Sequence, residues 1–186
     1  MKIEATPLKD CFIIHDTVHG DARGYFIETF NEKDFKAASG LDISFVQDNQ
    51  SKSSKGVLRG LHFQLGEAAQ AKLVRVLQGK VLDVAVDVRP NSKTFGQHVA
   101  VELTEDNETQ LFVPRGFAHG FVVLSDTATF FYKCDNYYNK LSEGGIIYND
   151  PMLDINWQLT EESLILSEKD LRLQSLKEIT HSLSFN

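Results

Sequence analysis

Cysteine, proline, positive charge and long apolar runs are all scarce in this chain, and each scarcity removes a class of protein. The two cysteines, Cys11 and Cys134, stand in no CxxC or other metal spacing, and nothing in the composition points to a disulfide scaffold. The four prolines avoid the interiors of the runs that read as strands, and no repeat or linker divides the chain. A formal net charge of −7 argues against generic affinity for nucleic acid or for an anionic membrane. An anionic ligand would therefore have to be caught locally, by individually placed Arg and Lys side chains. No run reaches membrane-spanning length, and the start, Met1-Lys2-Ile3-Glu4, lacks the apolar stretch of a signal peptide. A cytoplasmic protein with reduced thiols and no membrane partner is expected.

What remains is a β-rich pattern in 186 residues, enough to bury a core and consistent with one domain over 1–186. Short apolar runs recur at Phe12–Ile14, Gly24–Phe30, Val57–Gln64, Lys72–Leu77, Lys80–Val88, His98–Leu103, Gln110–Val113, Phe121–Leu124 and Ala128–Cys134. Ile146–Tyr148 and Asp154–Trp157 are the last strand candidates. The period of two places Phe26, Glu28 and Phe30 on one face of their run, and separates Leu82, Val84, Val86 and Val88 from Asp83 and Asp87. Lys72–Leu77 and Lys80–Val88 read as a hairpin around Gln78-Gly79, and Ser51–Gly56 as a basic, Ser-rich loop. Asn31 to Ser39 reads as a short helix with an Asn cap, closed by Gly40. Ser167-Glu168-Lys169-Asp170 has capping-box spacing and predicts a helix to about Ile179. The expected fold is all-β, a jelly-roll barrel with short helices, including a C-terminal helical cap.

The polar residues inside apolar strands carry the chemistry. Val57-Leu58-Arg59-Gly60-Leu61-His62-Phe63-Gln64 places an arginine and a histidine in one strand, beside a glycine. On a regular strand Arg59 and His62 face opposite ways, so they share a pocket only if Gly60 breaks the pleat. A metal site of the common cupin type needs a second histidine two residues after the first, and Gln64 stands there instead. His62 and His119 without a third ligand make a weak site, so no metal is expected. Proton transfer beside a carbonyl suits the set better. It needs a base, for which His62 is a candidate, a donor for the enolate oxygen such as Lys72, and an acid such as Tyr132. Each also has a structural explanation: a hydrogen-bonded core histidine, a solvated strand end, a core aromatic.

FVQDNQSKS (45–53), LRGLHFQ (58–64), GKVLDVAVDVR (79–89), VPRGFAHGF (113–121), YKCDNYY (132–138), SEKD (167–170) and GDARGYFIETF (20–30) resemble, in order, the dTDP-4-dehydrorhamnose 3,5-epimerase family. The resemblance runs over roughly residues 5 to 175 and implies a cupin-like jelly roll, a homodimer, and action without metal or organic cofactor. It implies epimerisation at C3 and C5 of dTDP-4-dehydro-6-deoxy-D-glucose to dTDP-4-dehydro-L-rhamnose, in dTDP-L-rhamnose and hence polysaccharide biosynthesis. His62 would be the base, Asp170 its orienting carboxylate, Lys72 the enolate stabiliser and Tyr132 the acid on the opposite face. Arg59 would contact the diphosphate, together with Arg23 from the partner subunit. Glu28, Gln47, Asp48 and Asn49 would contact the nucleotide and sugar, His119 the sugar, Tyr138 the sugar and base, and Glu143 and Lys169 the pocket mouth. The length of the segment from Trp157 to Ser167 varies, so the register of Lys169 and Asp170 rests on SEKD. The tail after about Leu176 carries no motif. An epimerase acting at one centre, a non-catalytic nucleotide-sugar-binding barrel and a metal-dependent cupin enzyme are the competing readings.

Overall fold

Strands form where apolar and polar residues alternate, or where apolar residues run continuously between Gly and Asn turns. The structure is a computed structural model described over residues 1–185. In chain order it holds β1 (Lys2–Ala5), β2 (Phe12–His15), β3 (Val18–Asp21), β4 (Gly24–Ile27), α1 (Glu32–Ser39), β5 (Gln47–Ser54), β6 (Leu58–Gln64) and β7 (Lys72–Gln78). Then follow β8 (Lys80–Asp87), β9 (His98–Thr104), β10 (Thr109–Val113), β11 (Phe117–Val123), β12 (Thr127–Cys134), β13 (Glu143–Gly145) and α2 (Leu176–Ile179). They build a six-stranded sheet in the order β1-β2-β10-β7-β12-β5 and a five-stranded sheet in the order β13-β6-β11-β8-β9. The hairpin β3-β4 stands apart. The fold is an all-β, cupin-like jelly roll.

Three apolar layers hold it together. Val74, Val76, Leu111, Val113 and Phe130 of the six-stranded sheet meet Val81, Ala85, Leu103, Phe117 and Phe121 of the five-stranded sheet in the interior. The outer face of the five-stranded sheet (Leu58, Leu61, Phe63, Leu82, Val84, Val86, Ala118 and Val122) is covered by Ile146, Trp157, Leu176, Ile179 and Leu183. Phe35 of α1, with Phe30, Leu41, Ile43 and Phe45, covers Ile14, Leu73 and Phe112 on the outer face of the other sheet. Helix α1 has the boundaries its caps predict: the Asn31 side chain accepts from the Asp34 N–H and Gly40 closes it.

Several local expectations are corrected. β7 and β8 are not a hairpin, because β7 pairs with β10 and β12 while β8 pairs with β11 and β9. Gly79, at φ 80°, turns the chain from one sheet to the other, and a Cβ there would lie 2.1 Å from the Thr127 carbonyl oxygen. Both faces of each strand are apolar enough to be buried in a sandwich, so patterning alone did not distinguish a hairpin from a corner. The Ser-rich segment is strand, not loop, as far as Ser54, because its inward side chains meet a polar cavity. β4 stops at Ile27, before Glu28, and Asp154–Trp157 is not a strand. Ser167–Ile179 is not one helix. A 3-10 turn at Asp170–Arg172 is followed by the single turn of α2, which has its own capping box, Ser175 with Glu178. The C-terminal cap is thus a set of short turns over the five-stranded sheet. No helix among the described residues is long and apolar enough to cross a membrane.

Candidate active site

A bulge in β6 creates the site. His62 is in register with His119 and Arg59 with Phe121, so β6 carries one more residue than β11 between those pairs. Leu58, Leu61 and Phe63 consequently point to the outer core, and Arg59 and His62 both point inward to one cavity. Gly60 sits at the break with φ 134°, and a Cβ on it would lie 2.5 Å from the Gly120 Cα. Only glycine allows that approach of β6 to β11.

The cavity has a volume of about 570 Å³ and is walled by Asn49, Ser51, Arg59, His62, Lys72, His119, Phe121, Phe130, Tyr132 and the 165–170 segment. A polar annex of about 290 Å³ adjoins it, lined by Gln47, Gln64, Gln70, Cys134, Tyr138 and Glu143, and sharing Asn49, His62, Lys72 and Tyr132. The sequence-predicted base, stabiliser and acid therefore stand together where the two spaces meet.

His62 Nε2 and Asp170 Oδ1 are 2.6 Å apart, joining residues 108 positions distant in the chain. The Ser167 hydroxyl oxygen accepts the Asp170 N–H at 3.1 Å, so half of the capping box survives while the carboxylate turns to the histidine. Burial pushes the Asp170 carboxyl upward, but the hydrogen bond and charge of His62, then Ser167 and Lys169, outweigh it and hold the group below its ordinary value. A neutral His62 that donates Nε2–H to this carboxylate presents the Nδ1 lone pair to the cavity, which is the state a general base requires.

Lys72 lies diagonally across the β7–β12 pair from Tyr132, its Nζ 6.0 Å from the ring centroid. Burial lowers the Lys72 pKa, and Cys134, Asp83 and Glu143 offset that only in part. Burial likewise raises the Tyr132 phenol, with Cys134 adding to the rise and Arg59 opposing it. The neighbouring Cys134 thiol is pushed up to about 11, chiefly by burial, and stays protonated. Arg59 donates Nε–H to Ser53 Oγ at 3.2 Å, and among the described residues no carboxylate pairs with Arg59 or Lys72. In a chain of net negative charge, two cations without a paired carboxylate give this wall the chemistry to hold an anion.

His119, within β11, forms a second pair: Nε2 to Asp83 Oδ1 at 2.9 Å. Asp83 is fully buried, and its Oδ2 has no partner among the described residues. At the mouth, Lys169 Nζ donates to Glu143 Oε1 at 2.5 Å and the Tyr138 hydroxyl to Oε2 at 3.1 Å. Burial raises the Glu143 carboxyl, but the hydrogen bonds from Lys169 and Tyr138 bring it below its ordinary value. Gln64, at the position a cupin metal histidine would take, uses its Oε1 on the Asn139 N–H at 2.7 Å. Among the described residues no three His, Cys, Asp or Glu side chains are grouped to hold a metal.

Comparison with known proteins agrees with this geometry. The profile of the dTDP-4-dehydrorhamnose 3,5-epimerase family matches residues 5–178. The Escherichia coli K12 dTDP-4-dehydrorhamnose 3,5-epimerase is 54% identical over 179 residues, 96% of each chain. The crystal structure of the Elizabethkingia anophelis dTDP-4-dehydrorhamnose 3,5-epimerase superposes with a TM-score of 0.93 at 60% identity, covering 96% of this chain and 97% of that one. That of a Legionella pneumophila dTDP-6-deoxy-D-glucose-3,5-epimerase, in complex with dTDP-4-keto-L-rhamnose, gives 0.94 at 48% identity, covering 98% and 97%. The chain belongs to the dTDP-4-dehydrorhamnose 3,5-epimerase family.

Three residues expected at the site lie outside the cavity of the single chain. Asp48 is on the outer face of β5, its carboxylate 2.9 Å from Lys133 Nζ. Arg23, at the turn of the β3-β4 hairpin, is exposed and pairs with Asp21. Glu28, just beyond that hairpin, accepts from Asn31 Nδ2 at 3.3 Å. Tyr25 and Phe26 on the same hairpin are 63% and 68% exposed, an unusual display for two aromatics side by side. Two residues that stand behind the cavity wall, Asp83 on His119 and Ser53 on Arg59, escape selection from the sequence. Asp83 had a legible signal, a carboxylate facing inward on an apolar strand. Ser53 had none, because a strand of alternating polar residues has no hydrophobic period.

Proposed function

We propose that this protein epimerises dTDP-4-dehydro-6-deoxy-D-glucose at C3 and C5, giving dTDP-4-dehydro-L-rhamnose, with the whole chain acting as one catalytic domain. The observation that carries the reading is the meeting of His62–Asp170, Lys72 and Tyr132 in one cavity beside the uncompensated Arg59. C3 and C5 both lie α to the C4 ketone, so one base, one enolate site and one opposing acid serve both centres.

His62 Nδ1 removes the proton from C3 or C5 and becomes imidazolium against Asp170. The electrons move onto O4 as an enolate, and the Lys72 ammonium donates to that oxygen. The Tyr132 hydroxyl then returns a proton to carbon from the other face, inverting the centre, and is reprotonated from solvent while the His62 imidazolium releases its proton to solvent, which restores both groups. Repetition at the second carbon completes the reaction. Arg59 binds the diphosphate, Gln47, Asn49, Tyr138 and Glu143 address the nucleotide and sugar from the annex, and His119, held by Asp83, contacts the sugar. No cofactor enters this scheme.

Arg23 and Glu28 fit the same scheme in a homodimer, where the exposed hairpin with Tyr25 and Phe26 would pack on a second copy and carry Arg23 to the partner's diphosphate. The absence of generic positive charge and the nucleotide-linked substrate fit a cytoplasmic enzyme. Incubation with substrate in deuterated water, followed by NMR at C3-H and C5-H, tests the reading. Exchange and inversion at both carbons are expected. Exchange at one carbon alone makes this a single-centre epimerase, and binding with no exchange leaves a non-catalytic barrel.

A further inference from the structure

We propose that Ser53 is a positioning residue for the diphosphate, holding Arg59 through its Nε so that the outer guanidinium edge is presented to the ligand. This rests on the reading of the cavity as a nucleotide-diphosphate-sugar site. Ser53 is buried near the end of β5, in the six-stranded sheet, whereas Arg59 belongs to β6 in the five-stranded sheet. The contact between them, Nε–H to Oγ at 3.2 Å, therefore ties the two sheets together beside the cavity.

Its chemistry is specific. A guanidinium offers a donor at Nε and paired donors at its two Nη atoms, and a diphosphate oxygen pair is best met by the Nη edge. Engaging Nε from behind fixes the plane of the group and leaves that edge free. The anchor is a hydroxyl, so it orients the cation without neutralising it. An Asp or Glu in its place would make an ion pair and cancel the charge that the diphosphate needs. The rest of the inward face of β5 follows the same rule: Gln47, Asn49 and Ser51 are all polar and uncharged, while the charged residues of the strand, Asp48 and Lys52, face out. The bulge at Gly60 turns Arg59 inward, and Ser53 then orients it.

The test compares wild type, Ser53→Ala, Ser53→Thr and Ser53→Asp, by calorimetric binding of dTDP and of thymidine and by steady-state kinetics. For Ser53→Ala we expect about three- to tenfold weaker dTDP binding and a matching rise in KM, the size of one lost hydrogen bond. Thymidine binding and kcat should hold within about twofold, since the loss concerns diphosphate binding in ground and transition states alike. Ser53→Thr should restore dTDP affinity, and Ser53→Asp should weaken it more than Ser53→Ala. Equal dTDP affinity in wild type and Ser53→Ala overturns the proposal, as does a parallel loss for thymidine, which would mark a general disturbance of the cavity. Failure of the wild type to bind dTDP would instead refute the reading of the site itself.

Discussion

The cavity holds two histidine–aspartate pairs of the same composition and different surroundings. His62 is 28% exposed and its carboxylate arrives from residue 170, on a turn that touches β6 only through the fold. His119 is 7% exposed and its carboxylate, Asp83, sits on the adjacent strand, diagonal to it on the same inner face. The first pair is open to ligand and solvent, so its proton can be exchanged. The second is enclosed, and a carboxylate left with one unpartnered oxygen can do little except hold the ring. Chemistry is thus assigned by access and not by residue type, and two pairs that look alike in a motif list have different work.

The comparison breaks most directly at the histidines. His62→Ala should abolish deuterium exchange at both C3 and C5, a loss of at least about 10²–10⁴-fold, the range of a general base. His119→Ala should leave exchange measurable. Equal losses would mean that the two pairs share the base role.

One step smaller is the change at the carboxylates. Asp170→Asn should lower kcat about a hundredfold, because it removes the charge that stabilises His62 imidazolium. Asp83→Asn should cost no more than about tenfold, with thermal stability held or raised, since it takes a poorly satisfied charge out of the interior. Stopped-assay kinetics with parallel thermal melts separate these outcomes. Tyr132→Phe should slow inversion by about tenfold or more while wash-out of C3-H and C5-H falls less, as expected when only the returning acid is lost. NMR that finds both slowed alike would sink the assignment of Tyr132 as acid.

The pH dependence sharpens the contrast between open and enclosed groups. Burial lowers Lys72 below 10.5 and raises Tyr132 above 10.0. Lys72 therefore loses its proton earlier than an ordinary lysine, and the alkaline limb of kcat should lie below about pH 10.5. Tyr132→Phe should leave that limb in place, and a limb that disappears in this variant would transfer it to the tyrosine. The stability consequence has the opposite sense. Between the lowered folded pKa and 10.5 the unfolded chain binds more protons at Lys72, so in that window stability rises with pH as far as this group is concerned. Lys72→Met should accordingly inactivate the enzyme while raising the neutral-pH melting midpoint, by about 2–4 °C if the buried charge costs about 1 kcal/mol.

Much of the fold was legible because local pattern and final environment agree. Asn31 and Gly40 cap α1 where expected, and the apolar runs of β8 and β11 are strands because both sides of each are covered, while β12 buries Ala128, Phe130 and Cys134 on one side. The misreadings share a cause. By its pattern β5 reads as loop beyond Gln50, because its inward residues face a polar cavity and not a core, and that polarity sets the Ser53 hydroxyl against Arg59. The β7–β8 corner reads as a hairpin in sequence because one glycine can serve either, and pairing partners decide between them. Ser167–Ile179 reads as a helix in sequence from a capping box whose carboxylate turns to His62 instead.

By itself the sequence determined the all-β class, the scarcity of generic positive charge and the identities of the groups available for chemistry, since these follow from composition and local period. It also supplied the family, through motifs spread over most of the chain. It left open whether Arg59 and His62 share a face, which depends on how β6 registers against β11 and not on β6 alone. The tertiary structure decided that with one bulge at Gly60, where the close approach of Gly120 excludes any Cβ. It also brought Asp170 to His62 across 108 residues, a distance no local pattern spans.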